Sequence, residues 1–138
     1  MLGQGTFSDV YLAIEKKTLT LWSIKRFKKS LLNTKELKNY FAKAIINHLM
    51  LDHPNVIKLY DVFSDDQYVY LVEEFMESGT LDEHLLKIKK KMKINDIADK
   101  IYQIALALRY IHEKGLIHGG LKPSSILICH ETCKLPNL

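Results

Sequence analysis

Apolar and polar residues alternate through the first third of the chain at the two-residue period of a half-buried strand. Val10-Tyr11-Leu12-Ala13-Ile14 is one such run and Leu19 to Phe27 is another, with Lys16-Lys17-Thr18 as the turn between them. Asn33 fits a helix N-cap, and Glu36 three residues on completes a capping box. Leu37, Phe41, Ile45 and Leu49 follow at four-residue spacing, which predicts a helix over about 34–51 with that face packed inward. His53-Pro54-Asn55 stops it. Two further strand-like runs, Val56 to Phe63 and Tyr68 to Glu73, are joined by the polar turn Ser64-Asp65-Asp66-Gln67.

After Gly79 the period becomes helical. Leu81, Leu85 and Ile88 line a short amphipathic helix. A longer one begins near Asn95 and carries Ile97, Ile101, Ile104, Ala105, Leu108 and Ile111, with Gly115 as its C-cap glycine. Tyr102, Leu106 and Tyr110 give the same helix a second apolar face. Short strands are predicted at Ser125–Cys129 and Lys134–Leu135. The pattern contains no internal repeat or low-complexity stretch. Glu77-Ser78-Gly79 is the predicted hinge between two parts.

Composition adds bounds rather than detail. A chain of 138 residues with 47% apolar content is long enough for one core. The formal net charge is +4, with acidic and basic residues interleaved. The one basic run, Lys87 to Lys93, could attract phosphate, nucleic acid or acidic lipid. Its place after an amphipathic helix reads instead as a solvated helix end and loop. Nucleic acid is therefore not an expected partner. No apolar run approaches the ~20 residues of a membrane span, and the N-terminus lacks the basic and apolar regions of a signal peptide. Cys129 and Cys133 flank His130 with too few ligands for a structural zinc site, so both read as reduced thiols in a cytoplasmic protein, a nuclear location remaining compatible.

Candidate chemistry concentrates in residues 118–125, His-Gly-Gly-Leu-Lys-Pro-Ser-Ser. They resemble the catalytic loop of eukaryotic protein kinases, H-R-D-L-K-P-x-N, whose Asp orients the attacking hydroxyl and whose Asn binds magnesium. His118, Leu121, Lys122 and Pro123 keep the frame. Gly120 stands at the base position, Gly119 at the Arg and Ser125 at the Asn. Glycine has no side-chain proton acceptor, so no rotamer restores that role.

The resemblance covers essentially the whole chain. Leu2-Gly3-Gln4-Gly5-Thr6-Phe7-Ser8-Asp9-Val10 resembles the glycine-rich loop, with Ser8 at the third glycine position. Trp22-Ser23-Ile24-Lys25 resembles V-A-I-K, which implies that Lys25 faces nucleotide phosphates. Nine residues before His53, the helix position of the Glu that pairs with this Lys holds Ala44. Tyr70 to Met76 resembles the last small-lobe strand and hinge. The implied adenine contacts are the main chain of Glu74 and Met76, with Val10 and Ser23 above the ring and Leu127 below. Glu73 takes the position behind that pocket, where a desolvated carboxylate needs a donor. Lys25 could be that donor, standing in for the missing helix Glu. Lys134-Leu135-Pro136-Asn137-Leu138 resembles K-I-x-D-F-G, with Asn137 at the principal magnesium ligand.

The resemblance implies an α+β fold. Residues 1–76 would form a small lobe, a five-stranded antiparallel sheet with one helix. Residues 77–79 would be the hinge, and 80–138 the first helices and catalytic-loop region of a truncated large lobe. The activation loop and the A-P-E segment have no counterpart in these residues. The nucleotide site it implies comprises Leu2, Gly3, Gly5, Thr6, Phe7, Ser8, Val10, Ser23, Lys25, Glu74, Met76 and Leu127, with no catalytic or metal-binding residue. ATP would bind weakly and without magnesium.

Three functional readings follow. One is a catalytically inactive kinase-like domain, a pseudokinase, acting through a protein partner such as a related active kinase or its substrates. The others are a fragment of an active serine/threonine kinase and a gene fragment with no function. Lys122-Pro123 resembles the serine/threonine type. Gly3-x-Gly5-x-Phe7, with Val10-Tyr11-Leu12-Ala13 and Gly79-Thr80-Leu81, resembles the Aurora and Polo-like groups.

Overall fold

The computed structural model describes residues 1–4, 8–87 and 92–136. The sequence expectations at Gly5, Thr6 and Phe7, at Ile88–Lys91 and at Asn137–Leu138 lie outside them. The chain divides into two compact units. One holds Met1–Leu51 and Lys58–Phe75, and the other Asp52–Ile57 with the described residues from Met76 to Pro136.

The first unit is a five-stranded antiparallel sheet with one helix, as the alternating pattern and the resemblance led us to expect. Its strands are β1 (Gly3–Gln4), β2 (Ser8–Ile14), β3 (Leu21–Lys28), β4 (Leu59–Ser64) and β5 (Tyr68–Glu74), in the order β1-β2-β3-β5-β4. The second run begins at Leu21 rather than Leu19, because Leu19 has φ +57° and belongs to the turn. The register pairs Val10 with Lys25 and Ser23 with Glu73. Directly paired residues share a face and alternate along each strand, so Ser8, Val10, Ser23, Lys25, Leu71 and Glu73 lie on one side. Phe27 lies there too and meets Phe41 of the helix edge-on, 5.0 Å between ring centres. On the opposite face Arg26 stacks between Tyr11 and Tyr68 and pairs with Asp9 at 2.8 Å.

The helix α1 spans Lys35–Leu49. Its N-cap is Thr34, not Asn33. The Thr34 hydroxyl accepts the Leu37 N–H at 3.2 Å, and the backbone at Thr34 is extended. Glu36 therefore does not close a capping box but sits in the first turn, where its negative charge is favourable to the positive end of the helix dipole. The inward stripe also differs from expectation. Leu37 and Leu49 are exposed, while Phe41, Ala44, Ile45 and the fully buried His48 face the sheet side. A strict four-residue spacing drifts around a helix of 3.6 residues per turn, so the ends of the leucine row leave the interface.

In the second unit, α2 (Leu81–Lys87) and α3 (Ile94–Glu113) accompany a hairpin of β6 (Leu127–Cys129) and β7 (Thr132–Lys134). Gly115 ends α3 as expected, with φ +71°, and the Leu116 N–H reaches back to the Ile111 carbonyl at 3.1 Å. Lys100, Ala107 and Ile111 are the buried positions of α3, whereas Ile101 and Tyr102 are exposed. Gly79 is required. Its φ is +76°, and a Cβ there would collide with Glu83 Oε2, which accepts the Thr80 N–H and caps α2.

Three predicted strand limits change for one reason, the destination of backbone hydrogen bonds. Val56 to Lys58 do not extend β4. Val56 bridges Leu135, the Ile57 N–H donates to the Leu135 carbonyl at 2.8 Å, and the Leu135 N–H donates to Asn55 O at 2.9 Å. Leu135 is thereby drawn out of β7. Pro123–Ser125 forms a 3-10 turn instead of opening β6. The core of this unit is Val56, Ile57, Met76, Ala107, Ile111, Ile126, Ile128, Cys133 and Leu135. Among the described residues no helix is long and apolar enough to cross a membrane.

Candidate functional site

The candidate site starts from Lys25, the residue expected from the sequence to face nucleotide phosphates. Its strand neighbours are Val10, directly opposite on β2, and Leu71 on β5. Glu73, two residues beyond Leu71, is the diagonal neighbour on the same face, within reach of a long side chain. Burial pulls the Lys25 ammonium below its usual range, and the charge of Glu73 opposes that shift. Burial pushes the Glu73 carboxyl up to about 7, against the pull of Lys25 and with the repulsion of Glu74. Both shifts are led by lost hydration, so this pair is held at a cost that its mutual attraction only partly offsets.

His48 completes the group. It is fully buried on α1, and its Nδ1 lies 4.0 Å from Glu73 Oε1. The sequence reading did not single out His48. Its signal was available, a polar residue four positions after Ala44 on the stripe of Phe41 and Ile45. Ala44 itself offers no carboxylate to Lys25.

The predicted nucleotide residues fall on both units. Leu2, Gly3, Ser8, Val10, Ser23 and Lys25 lie on β1–β3 or directly before them, the Leu2 N–H donating to Val10 O at 2.7 Å. Glu74 ends β5, where its carboxylate accepts the Lys58 N–H at 2.7 Å and its own N–H donates to Lys58 O. Met76 and Leu127 belong to the second unit. There Ser78 N–H donates to Ile128 O, and Ile128 N–H to Gly79 O, so the segment after Met76 is strapped to β6.

The loop at 118–125 is closed on itself. Ser125 Oγ lies 3.0 Å from the Gly120 carbonyl and 2.8 Å from that of Lys122, and it accepts the Lys122 N–H at 3.1 Å. His118 Nδ1 accepts the Gly120 N–H at 3.3 Å, and burial holds this imidazole below its usual range while the Pro136 carbonyl opposes the shift. A Cβ built on Gly120 would meet nothing within 4 Å. The base position is therefore open space, not a filled one. Of the two expected metal positions, Asn137 lies outside the described residues, and the Ser125 hydroxyl, a neutral donor, is engaged by its own loop. For a nucleotide phosphate, Lys25 on β3, the central strand of the sheet, is the candidate cation.

The sequence pattern of the protein kinase domain matches residues 1–136. The chain belongs to the protein kinase family. It is 38% identical over 128 residues to an Aurora kinase of Schizosaccharomyces pombe, covering 92% of this chain and 36% of that one. An Aurora kinase of Dictyostelium discoideum is 37% identical over 93% of this chain and 33% of its own. A Wee1-like protein kinase 2 of Xenopus tropicalis is 28% identical over 94% of this chain and 24% of its own. The chain thus spans about a third or less of these relatives, and within the kinase family its likeness extends to both Aurora and Wee1-like members.

Proposed function

We propose that this kinase domain region is catalytically inactive and acts by binding, holding a nucleotide weakly and without magnesium. The observation that carries this reading is Gly120 at the base position, in a loop whose Ser125 hydroxyl ties back to the Gly120 and Lys122 carbonyls. Phosphoryl transfer is catalysed by positioning and by neutralising charge on the phosphates. Removing the base, the helix carboxylate and a metal ligand takes away most of what the protein contributes. Lys25 and the strands around it keep a cation for the phosphates, and Val10, Ser23 and Glu74 of the same unit would receive the base.

The protein partner in this reading is a related active kinase or its substrate, met in the cytoplasm or nucleus. The whole-length relatives carry the kinase name, and their activity is assigned to this chain only as the alternative. Radiolabel transfer from ATP to a generic basic protein tests it. No transfer above background is expected. Turnover that disappears with Lys25→Ala would overturn the proposal.

A further inference from the structure

Three buried or half-buried ionisable groups meet on the helix side of the first unit's sheet. Glu73 is faced by Lys25 and Ser23 from β3, by Leu59 from β4 and by His48 from α1, with Glu74 next to it along β5. Ala44 occupies the helix position where the family resemblance would place a carboxylate. Lys25 has in Glu73 a counter-charge on the sheet itself, two residues along the neighbouring strand from its direct partner Leu71.

We propose that Glu73 is the positioning residue for Lys25, and that a nucleotide phosphate reaching Lys25 replaces Glu73 as counter-charge and leaves it protonated. The inference rests on the nucleotide reading above. A phosphate and an ionised Glu73 would place two anions around one ammonium on a half-buried face, and like charges there raise the proton affinity of the weaker acid. The proton comes from solvent, and His48, 4.0 Å away, is the neighbouring group able to share it. The carboxyl already titrates at about 7, so a small added repulsion moves it through neutrality. Nucleotide binding then takes up a proton and weakens as pH rises.

Calorimetric titration with ATP, without divalent metal, in two buffers of different ionisation enthalpy tests this. At pH 7 the native chain should take up about half a proton more than Glu73→Gln, and its affinity should fall about tenfold more between pH 6 and pH 8. Adenosine, which has no phosphate, should bind the native chain with no such pH dependence, a control that needs no substitution. Equal proton uptake by the native chain and Glu73→Gln, or equal pH dependence for ATP and adenosine, would overturn the inference while leaving nucleotide binding intact. No heat with ATP in either protein would overturn the nucleotide reading, and the inference with it.

Discussion

Ser125 and Gly120 are joined by a hydrogen bond of 3.0 Å from hydroxyl to carbonyl, which closes the loop at the two positions where the kinase family keeps its metal ligand and its base. The loop is thus closed by the Ser125 hydroxyl on its own backbone.

Gly120→Asp should fold normally and remain inactive. Gly120 does not require a positive φ, and a side chain there has open space. The carboxylate would still lack the helix Glu and a metal-binding partner at Ser125. Circular dichroism should match the native chain, and radiolabel transfer should stay at background. Turnover in this variant would show that the base alone was missing.

ATP at a hundred times its dissociation constant should stabilise the fold by about 2.7 kcal/mol, with or without magnesium. Lys25→Met should abolish the shift in a thermal titration. A shift that appears only with magnesium would mean that residues other than Ser125 and Gly120 hold the metal.

Stability should fall as pH rises from about 4.5 to 7. Glu73 is raised in the fold from 4.5 to about 7, so in this window the folded chain keeps a proton that the unfolded chain has lost. The cost saturates above pH 7, at an upper bound of the order of 3 kcal/mol. Glu73→Gln should remove that slope and be the more stable protein at pH 8. Urea denaturation of both at several pH values measures it.

Asn55→Ala should destabilise the second unit by about 2–3 kcal/mol. The buried Asn55 amide donates to Gln103 Oε1 at 3.0 Å and to the Cys133 carbonyl at 2.9 Å, and removing it takes both bonds away, although Gln103 Oε1 still accepts the Cys133 N–H at 2.8 Å. Denaturant midpoints would show the loss, and a change below about 0.5 kcal/mol would mean that water replaces the amide.

The second unit should bind a hydrophobic dye in its folded state. Leu86 is 82% exposed, Ile94 76%, Ile101 60% and Ile117 83%. Exposed apolar area of this kind favours self-association or a partner. Light scattering with dye fluorescence reads it, and Ile101→Lys with Leu86→Lys should reduce both signals. A monodisperse native chain that binds no dye would exclude it.

The order of elements was legible in the sequence because strand alternation, helical periodicity and Gly115 are local signals, each acting within a few residues. So was the glycine at position 120, which carries no side-chain acceptor in any fold. Three things needed the tertiary structure. Leu135 leaves its hairpin because its backbone groups pair with Asn55 and Ile57, some 80 residues earlier in the chain. Leu37 and Leu49 lose the core to Ala44 and His48 because a helix turns by 100° per residue, and the sheet, not the spacing, chooses the face. Finally, the sequence raised Glu73 as a partner for Lys25, but only the β3–β5 register sets it on the diagonal, and only the packing of α1 brings His48 to it. Burial then decides the charge state of that group, and burial is a property of the assembled unit.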